Sequence, residues 1–520
     1  SGRAQIRVGS VSRAVPGGAA RTLHVRWSPP ARPVRIDAAT YGRARASVVS
    51  YWRSRLAAGA RFEIPEPEVA NAARALLVQN LVLTWRYSYG NPYEQFSFPE
   101  TIDTARVLAE LGYESVARAV LRSALPARPT PYPSWKMGTK LLGYGAHHRL
   151  HRDRPALAAA TPALGGFVDS LARLQEPSGL LPRERFSSDI PDEVYGLHAQ
   201  ATIWQGLREI ADAWDDIGRR DLARRARSVA GRLERGLRDA VRRSRRTLPD
   251  GSVFVPMRLL EGRAPYRRLT ESRAASYWNL VAPYALASGL FAPGSADARG
   301  LLRYLDLHGA RLLGQVRTAA FVLYGPDAGG ARSGVNPVYG NGASRFLADL
   351  DRPDRLTLAL YGQLAAGMAA GTFVGGEGTT IAPLDGAYHR STYRPPNSAA
   401  NATFLETLRL VLAHETRAGL DLAFSTPRAW LAAGKRIAVS DLPTSFGPIS
   451  YSIEAGERTL HIRVVVPSRT PPARLRLRLR LPPGERLGVV TPARPVDRRT
   501  QTIDLSGLRG TVVVGVRRLR

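Results

Sequence analysis

Phe186-Ser-Ser-Asp-Ile-Pro-Asp-Glu-Val-Tyr-Gly196 is polar and broken by proline, and a long run with helical spacing of leucine, isoleucine, tryptophan and alanine follows it. That run stops at Asp216-Ile-Gly218 and a second helical run starts at once from Arg219. One long joint, one helix, one short joint, another helix: this unit repeats in both directions. The spacing predicts helices over 67–86, 100–111, 113–124, 136–151, 156–174, 193–215, 219–243, 274–290, 297–314, 341–350, 355–371 and 397–415. The joints at 112, 152–155, 216–218, 291–296 and 351–354 are short. Those at 87–99, 125–135, 175–192, 244–273, 315–340 and 372–396 are mostly long and rich in Pro, Gly, aromatic and acidic residues.

Long structureless loops in a compact domain are usually functional. Placed at every second joint of twelve helices, they would all emerge at one end of a ring of helical hairpins. The expected fold is therefore mainly α, an (α/α)6 toroid over residues 49–417. A helical solenoid would need a fixed period, and no such repeat is present. From residue 418 to 520 the period changes to two, in Arg436–Ser440, Ile449–Ile453, Thr459–Val466, Arg474–Leu481 and Gly510–Val516. This predicts a small C-terminal antiparallel β-sandwich. Residues 1–48 read as a β-rich N-terminal segment, with an alternating run at Arg21–Trp27, and could close a preceding domain.

The 520 residues carry 74 Lys+Arg against 43 Asp+Glu, a formal +31, and no cysteine, which excludes disulfides and thiolate chemistry. Only Lys136, Lys140 and Lys435 are lysines, so the excess is arginine, as a GC-rich coding bias would give. Twelve arginines between Arg219 and Arg246 lie on one amphipathic helix; Arg474, Arg476, Arg478 and Arg480 alternate with leucines, as on the charged outer face of a strand. Neither interleaves the aromatics that single-strand binders use, so no nucleic-acid partner is expected. No apolar run of about 18 residues is present, so no membrane span is expected. The chain opens on Ser1 without a signal peptide and reads as a processed form, with an extracytoplasmic or secreted setting favoured.

The long joints place carboxylates beside aromatics. The first holds Trp85, Tyr89, Asn91, Glu94 and Glu100; the third Asp189, Asp192 and Glu193; the fourth ends at Tyr277, Trp278 and Asn279. The sixth holds Glu377 within Gly375-Gly-Glu-Gly378, then Asp385, His389 and Tyr393. Sugar rings stack on aromatic faces while carboxylates and amides bind hydroxyls, so carbohydrate is the expected partner, and the positive charge would suit an anionic or cell-surface glycan. Glycoside hydrolysis then needs one carboxyl as acid and a second as base or nucleophile.

With Pro191-Asp-Glu-Val-Tyr-Gly196 at the fifth-to-sixth helix joint, the chain resembles the six-hairpin glycosidases, which include glucoamylases, the maltose phosphorylase group and α-L-rhamnosidases. The resemblance implies Glu193 as general acid with Asp192 beside it. It also implies Glu377, at the eleventh-to-twelfth joint, as the base of an inverting, metal-independent glycoside hydrolase without cofactor. The basic phosphate-binding cluster of the phosphorylases is absent from the sixth loop. Each carboxylate also has a plainer role: Asp192 and Glu193 suit a helix start, and Glu100 follows Pro99 as a helix cap. His147, His148 and His151 lie near a helix C-terminus without an intervening glutamate, so no metal is expected. The alternatives are a polysaccharide lyase using Tyr388, His389, Arg390, Tyr393, Arg394 and Asn397 on a uronate polymer, and a non-catalytic glycan-binding protein.

Overall fold

The computed structural model describes residues 4–8, 11–15, 37–92, 94–126, 131–320, 322, 333–384 and 387–519. The chain divides into two compact units, 1–58 and 59–520. In the first, Ala4–Val8 and Val11–Val15 form an antiparallel hairpin. Helix α1, Ala38–Ala57, follows, with the Asp37 carboxylate accepting from the Thr40 amide at 2.8 Å as its N-cap. Its first part, residues 38–48, occupies positions expected to be strand-rich. The alternating run Arg21–Trp27 lies outside the described residues.

The second unit carries a helix at every expected position. These are α2 (Pro67–Leu83), α3 (Glu100–Glu110), α4 (Glu114–Ala124), α5 (Pro133–His151), α6 (Arg154–Leu174), α7 (Leu197–Asp216), α8 (Arg220–Ser244), α9 (Arg273–Leu286), α10 (Ala296–Leu307), α11 (Gly340–Asp349), α12 (Pro353–Ala366) and α13 (Ser398–Leu412). Helix α3 packs on α5, α5 on α7, α7 on α9, α9 on α11, α11 on α13 and α13 back on α3. The even-numbered helices lie outside this cycle, each burying one stripe. Burial follows the same division: every residue of α3 and α13 is buried, whereas α8 buries only its alanine, valine, leucine and glycine positions. Two glycines set the closest approach in the ring. A Cβ on Gly206 of α7 would stand 2.2 Å from the Gly138 carbonyl oxygen of α5, so neither helix could move this near with a larger residue. No described helix is long and apolar enough to cross a membrane.

Each long connection leads into the N-terminus of a ring helix, and several carry small sheets that the sequence reading left as loop. Glu184–Arg185, Glu193–Gly196 and Arg258–Leu259 form one. The connections before α11 and α13 share another, of Arg311–Leu312, Gln315–Ala319, Ser333–Val335, Gly378–Leu384 and Ala387–Tyr393. Residues 193–196, expected to begin a helix, are thus a strand; α7 starts only at Leu197.

After α13 the chain builds two sheets. The six-stranded one runs Arg486–Thr491, Thr511–Leu519, Thr459–Val465, Ile449–Ala455, Lys435–Leu442 and Arg61–Glu63, the last strand coming from before α2. The five-stranded one runs Ala413–Thr416, Gly419–Leu422, Arg474–Arg478, Thr502–Asp504 and Val496–Asp497. The expectation of a wholly antiparallel arrangement fails here: Gly419–Leu422 and Arg474–Arg478 are parallel. Between them the chain passes through three strands of the other sheet, the kind of long crossover that parallel pairing requires. The arginine face of this sheet is also not turned simply to solvent. Arg474 and Arg476 pair with Asp421, while Arg478 and Arg480 are buried and reach Asp351 and Asp354 at the start of α12. On α8, Arg224, Arg225, Arg227, Arg238 and Arg242 each pair with a nearby carboxylate.

Candidate active site

Glu100 is the first residue of α3, placed there by Pro99, and is buried. Its carboxylate accepts from the Ser97 hydroxyl at 2.9 Å and the Tyr339 hydroxyl at 3.1 Å. Burial outweighs those hydrogen bonds and pushes its carboxyl up to about 7. Three positions further, a second titratable residue is buried: Asp103 accepts from the Tyr284 hydroxyl at 3.0 Å and is likewise raised to about 7 by burial.

Glu377 sits on the last long connection. Its amide donates to the Tyr393 carbonyl at 2.8 Å, which fixes it at the mouth of the Gly378–Leu384 and Ala387–Tyr393 hairpin. The preceding glycines are demanded by crowding. A Cβ on Gly376 would lie 2.2 Å from Thr392 Cγ2, and one on Gly375 2.3 Å from Asn401 Oδ1. Burial raises the Glu377 carboxyl; Arg394 is the main opposing influence, its Nη1 lying 3.4 Å from Glu377 Oε2. The Tyr87 hydroxyl bonds the same carboxyl, and the charge of Asp189 pushes it further up.

Asp189 comes from the third long connection and is exposed. Its Oδ2 accepts from the Tyr277 hydroxyl at 2.7 Å, and its carbonyl from Arg273 at 3.3 Å. Tyr277 is pushed far above its ordinary value, chiefly by burial and then by Asp189, with Glu377 adding to the effect. Tyr132, near the start of α5, is raised by burial and by the charges of Glu100 and Asp189. Tyr339 is raised by burial and by Glu100 and Glu377. Carboxylates from the first, third and sixth long connections therefore act on one another among Tyr87, Tyr132, Tyr277 and Tyr339.

Glu100, Asp189, Tyr277 and Glu377 are thus brought together, while the other expected residues make contacts of their own. Glu193 is exposed in its strand, and Asp192, also exposed, pairs with Arg258. Trp278 is buried in the core, donating to the Val255 carbonyl at 2.9 Å and stacking with Phe254. Asn279 donates to the carbonyls of Ala310 and Arg317, at 2.7 and 2.8 Å, and so anchors a strand instead of meeting a ligand. Glu94 closes its own loop on the Gly90 amide at 2.6 Å, and Asn91 donates to the Ser88 hydroxyl at 2.7 Å. Trp85 is partly buried and stacked on Phe96, Tyr89 is exposed, and Tyr393 carries the Arg394 guanidinium 4.3 Å above its ring. Asp385 lies outside the described residues, and His389 is placed by its backbone alone, in the strand Ala387–Tyr393.

Sequence reasoning missed Tyr87, Tyr132 and Tyr339. Tyr87 lies between Trp85 and Tyr89 on the first long joint; the other two open helices, where a lone tyrosine gives no signal. The histidines are held individually: His147 meets Asp153 at 3.2 Å, His148 meets Asp216 at 2.8 Å, and His151 meets the Ala109 carbonyl at 2.9 Å. Ligand atoms of Glu114, His147 and Asp153 lie within 4.8 Å of one another, but Arg118 pairs with both carboxylates there, at 2.6 and 2.7 Å.

No family model and no curated protein matches the chain. Among solved structures it is similar to an α-L-rhamnosidase from Dictyoglumus thermophilum, with 9% identity and a TM-score of 0.48 over 88% of this chain and 50% of that one. An α-L-rhamnosidase from Aspergillus terreus gives 10% identity and a TM-score of 0.44 over the same shares, 88% and 50%. A bacterial glucoamylase solved with acarbose gives 9% identity and a TM-score of 0.48 over 71% of this chain and 59% of that one. The chain spans about half the length of the rhamnosidases it matches. The solved structures to which it is similar are rhamnosidases, a glucoamylase and other glycosidases, all at low sequence identity.

Proposed function

We propose that the chain is an inverting glycoside hydrolase, with residues 59–417 an (α/α)6 toroid that bears the site and 418–520 a β-sandwich packed on it. The observation that carries this reading is the electrostatic meeting of two carboxylates from different long connections: Asp189, tied to Tyr277, raises the half-buried Glu377. In the mechanism Glu377 is the base. Arg394 favours its ionised form and the Tyr87 hydroxyl orients it, so that it can take a proton from a water attacking the anomeric carbon. Asp189 takes the part first expected of Glu193 and protonates the leaving glycosidic oxygen. Glu100, protonated in part near neutrality, can donate to a hydroxyl as well as accept from one.

Screening aryl glycosides and neutral oligosaccharides, with proton NMR of the first-formed product, tests the proposal. The expected result is turnover giving the inverted anomer, abolished in Glu377→Gln and in Asp189→Asn. A retained anomer would remove the inverting mechanism, and full turnover in Glu377→Gln would remove the assignment of the base. An unsaturated uronate product would replace hydrolysis by lyase chemistry.

A further inference from the structure

A cavity of about 430 Å³ lies toward the C-terminal ends of the ring helices, its lining including Glu110, Arg149, Arg208, Arg345, Arg409 and Arg417. Glu110 closes α3 and Glu100 opens it, so helix geometry places the two ends about 15 Å apart. The cavity is thus separate from the site at the long connections, and it is of the size that takes a small molecule.

Three of its guanidiniums are closely matched within the protein. Arg345 pairs with Glu110 and Glu406, Arg149 with Glu209 and Glu415 at 3.1 and 3.3 Å, and Arg409 with Glu415 at 3.4 Å. The remaining carboxylate of the lining, Asp349, meets His414 at 3.0 Å. Arg208 is different: among the described residues it pairs with no carboxylate and donates no hydrogen bond. The three acids that act on it are each held by another arginine: Glu209 by Arg149, Asp212 by Arg227 at 2.9 Å, and Glu234 by Arg238 at 2.9 Å. Arg417 reaches only Asp212, at 3.8 Å, and shares it with Arg227. Burial, and then the charge of Arg417, push the Arg208 guanidinium below its ordinary value.

Nor is Arg208 an ordinary solvated cation. It is half-buried, with its guanidinium 4.6 Å above the Trp204 ring, and stands two turns before the end of α7, too far in to complement that helix end. Stacking fixes the plane of the guanidinium and leaves its N–H edge for an acceptor.

We propose that this cavity binds a phosphate group, free or carried as a small monoester, between Arg208 and Arg417. Guanidinium forks match phosphate oxygens in bidentate fashion, and a dianion offsets the repulsion between the two cations, which a neutral ligand cannot do. The lining carboxylates already have partners, so the anion displaces none of them. The cavity exceeds what a phosphate group alone fills, which leaves room for the body of an ester.

Isothermal titration calorimetry of the full chain with sodium phosphate and with D-glucose 6-phosphate, at constant ionic strength, tests this. One saturable site per chain is expected for at least one of them. Tighter binding of D-glucose 6-phosphate identifies an ester as the ligand, and equal or tighter binding of phosphate identifies the free ion. Arg208→Gln should weaken the site by about tenfold or more, as the loss of a charged bidentate partner does. Arg417→Gln should weaken it severalfold and, at an exposed position, serves should Arg208→Gln not fold. Arg235→Gln, exposed on α8, should change nothing. Absence of saturable binding overturns the proposal, and so does unchanged affinity in the folded Arg208 and Arg417 variants. An equal loss in Arg235→Gln would reduce the binding to diffuse attraction by the positive surface and overturn it too. Binding of D-glucose as tight as that of its phosphate would do the same.

Discussion

The Tyr277 hydroxyl donates to Asp189 Oδ2 at 2.7 Å, and through that bond ring helix α9 aims a carboxylate carried by the connection before α7. Asp189 is otherwise exposed, so without the bond its side chain would sample several rotamers. Tyr277→Phe keeps the ring and removes the donor. It should lower kcat by about tenfold with little change in KM, the pattern of a lost positioning interaction. Steady-state kinetics checks it; an unchanged kcat would detach Asp189 from the chemistry.

The three acidic residues near α7 give opposite expectations. Asp189→Asn should cost about a hundredfold or more in kcat if it is the acid. Glu193→Gln and Asp192→Asn change exposed side chains away from the tyrosine cluster, and each should leave kcat within about twofold, as ordinary surface substitutions do. A large loss in Glu193→Gln instead would return the acid to the position the sequence first pointed to.

These residues also mark the limit of sequence reading. Helical periodicity located α2 to α13, though not α1, because each ring helix alternates with an amphipathic outer one, and that pattern survives in one dimension. The parts of the site come from separate connections spread over most of the ring, and their convergence has no one-dimensional signature. Glu193 looked like the start of a helix because Pro191 and two acids preceded an apolar run, yet pairing with Glu184–Arg185 and Arg258–Leu259 held residues 193–196 extended. Trp278 and Asn279 were legible as ligands only while α9 was read as facing a loop; its packing turns both into the core. The arginines of the strand Arg474–Arg478 misled in the same way, since alternation reveals two faces but not what covers each.

Arg480 offers a test of that covering. It is buried, and donates to the Thr357 hydroxyl and to the carbonyls of Ser425 and Thr426 at 3.1–3.2 Å, besides pairing with Asp354. Asp354 itself is 82% exposed. Arg480→Ala should therefore destabilise by about 2–4 kcal/mol, since it leaves several buried acceptors unmet. Asp354→Ala should cost under about 1 kcal/mol, as expected for an exposed partner. Urea denaturation of both variants measures the asymmetry, and equal losses would contradict it.

Titration of the ring interior gives a pH dependence with a fixed sign. Glu100 and Asp103 are raised to about 7 and Glu110 to about 8, all chiefly by burial, whereas the unfolded chain would hold them near ordinary carboxylate values. Between the unfolded and folded values the folded state binds more protons, so stability falls as pH rises. The contribution is complete below about pH 4, is lost progressively through about pH 7–8 and changes no further above that. Arg409 and Arg149 moderate the effect at Glu110 without reversing it; Arg345 does the same for Asp103. Replacing Glu100 or Glu110 by glutamine removes one titrating group from this window. Each variant should therefore lose less stability than the parent between pH 5 and pH 8, by about 1–3 kcal/mol. Urea melts at both pH values test it: parallel pH profiles for parent and variants would mean that these carboxyls titrate as they do in water, and the buried polar axis of the ring would then need another account.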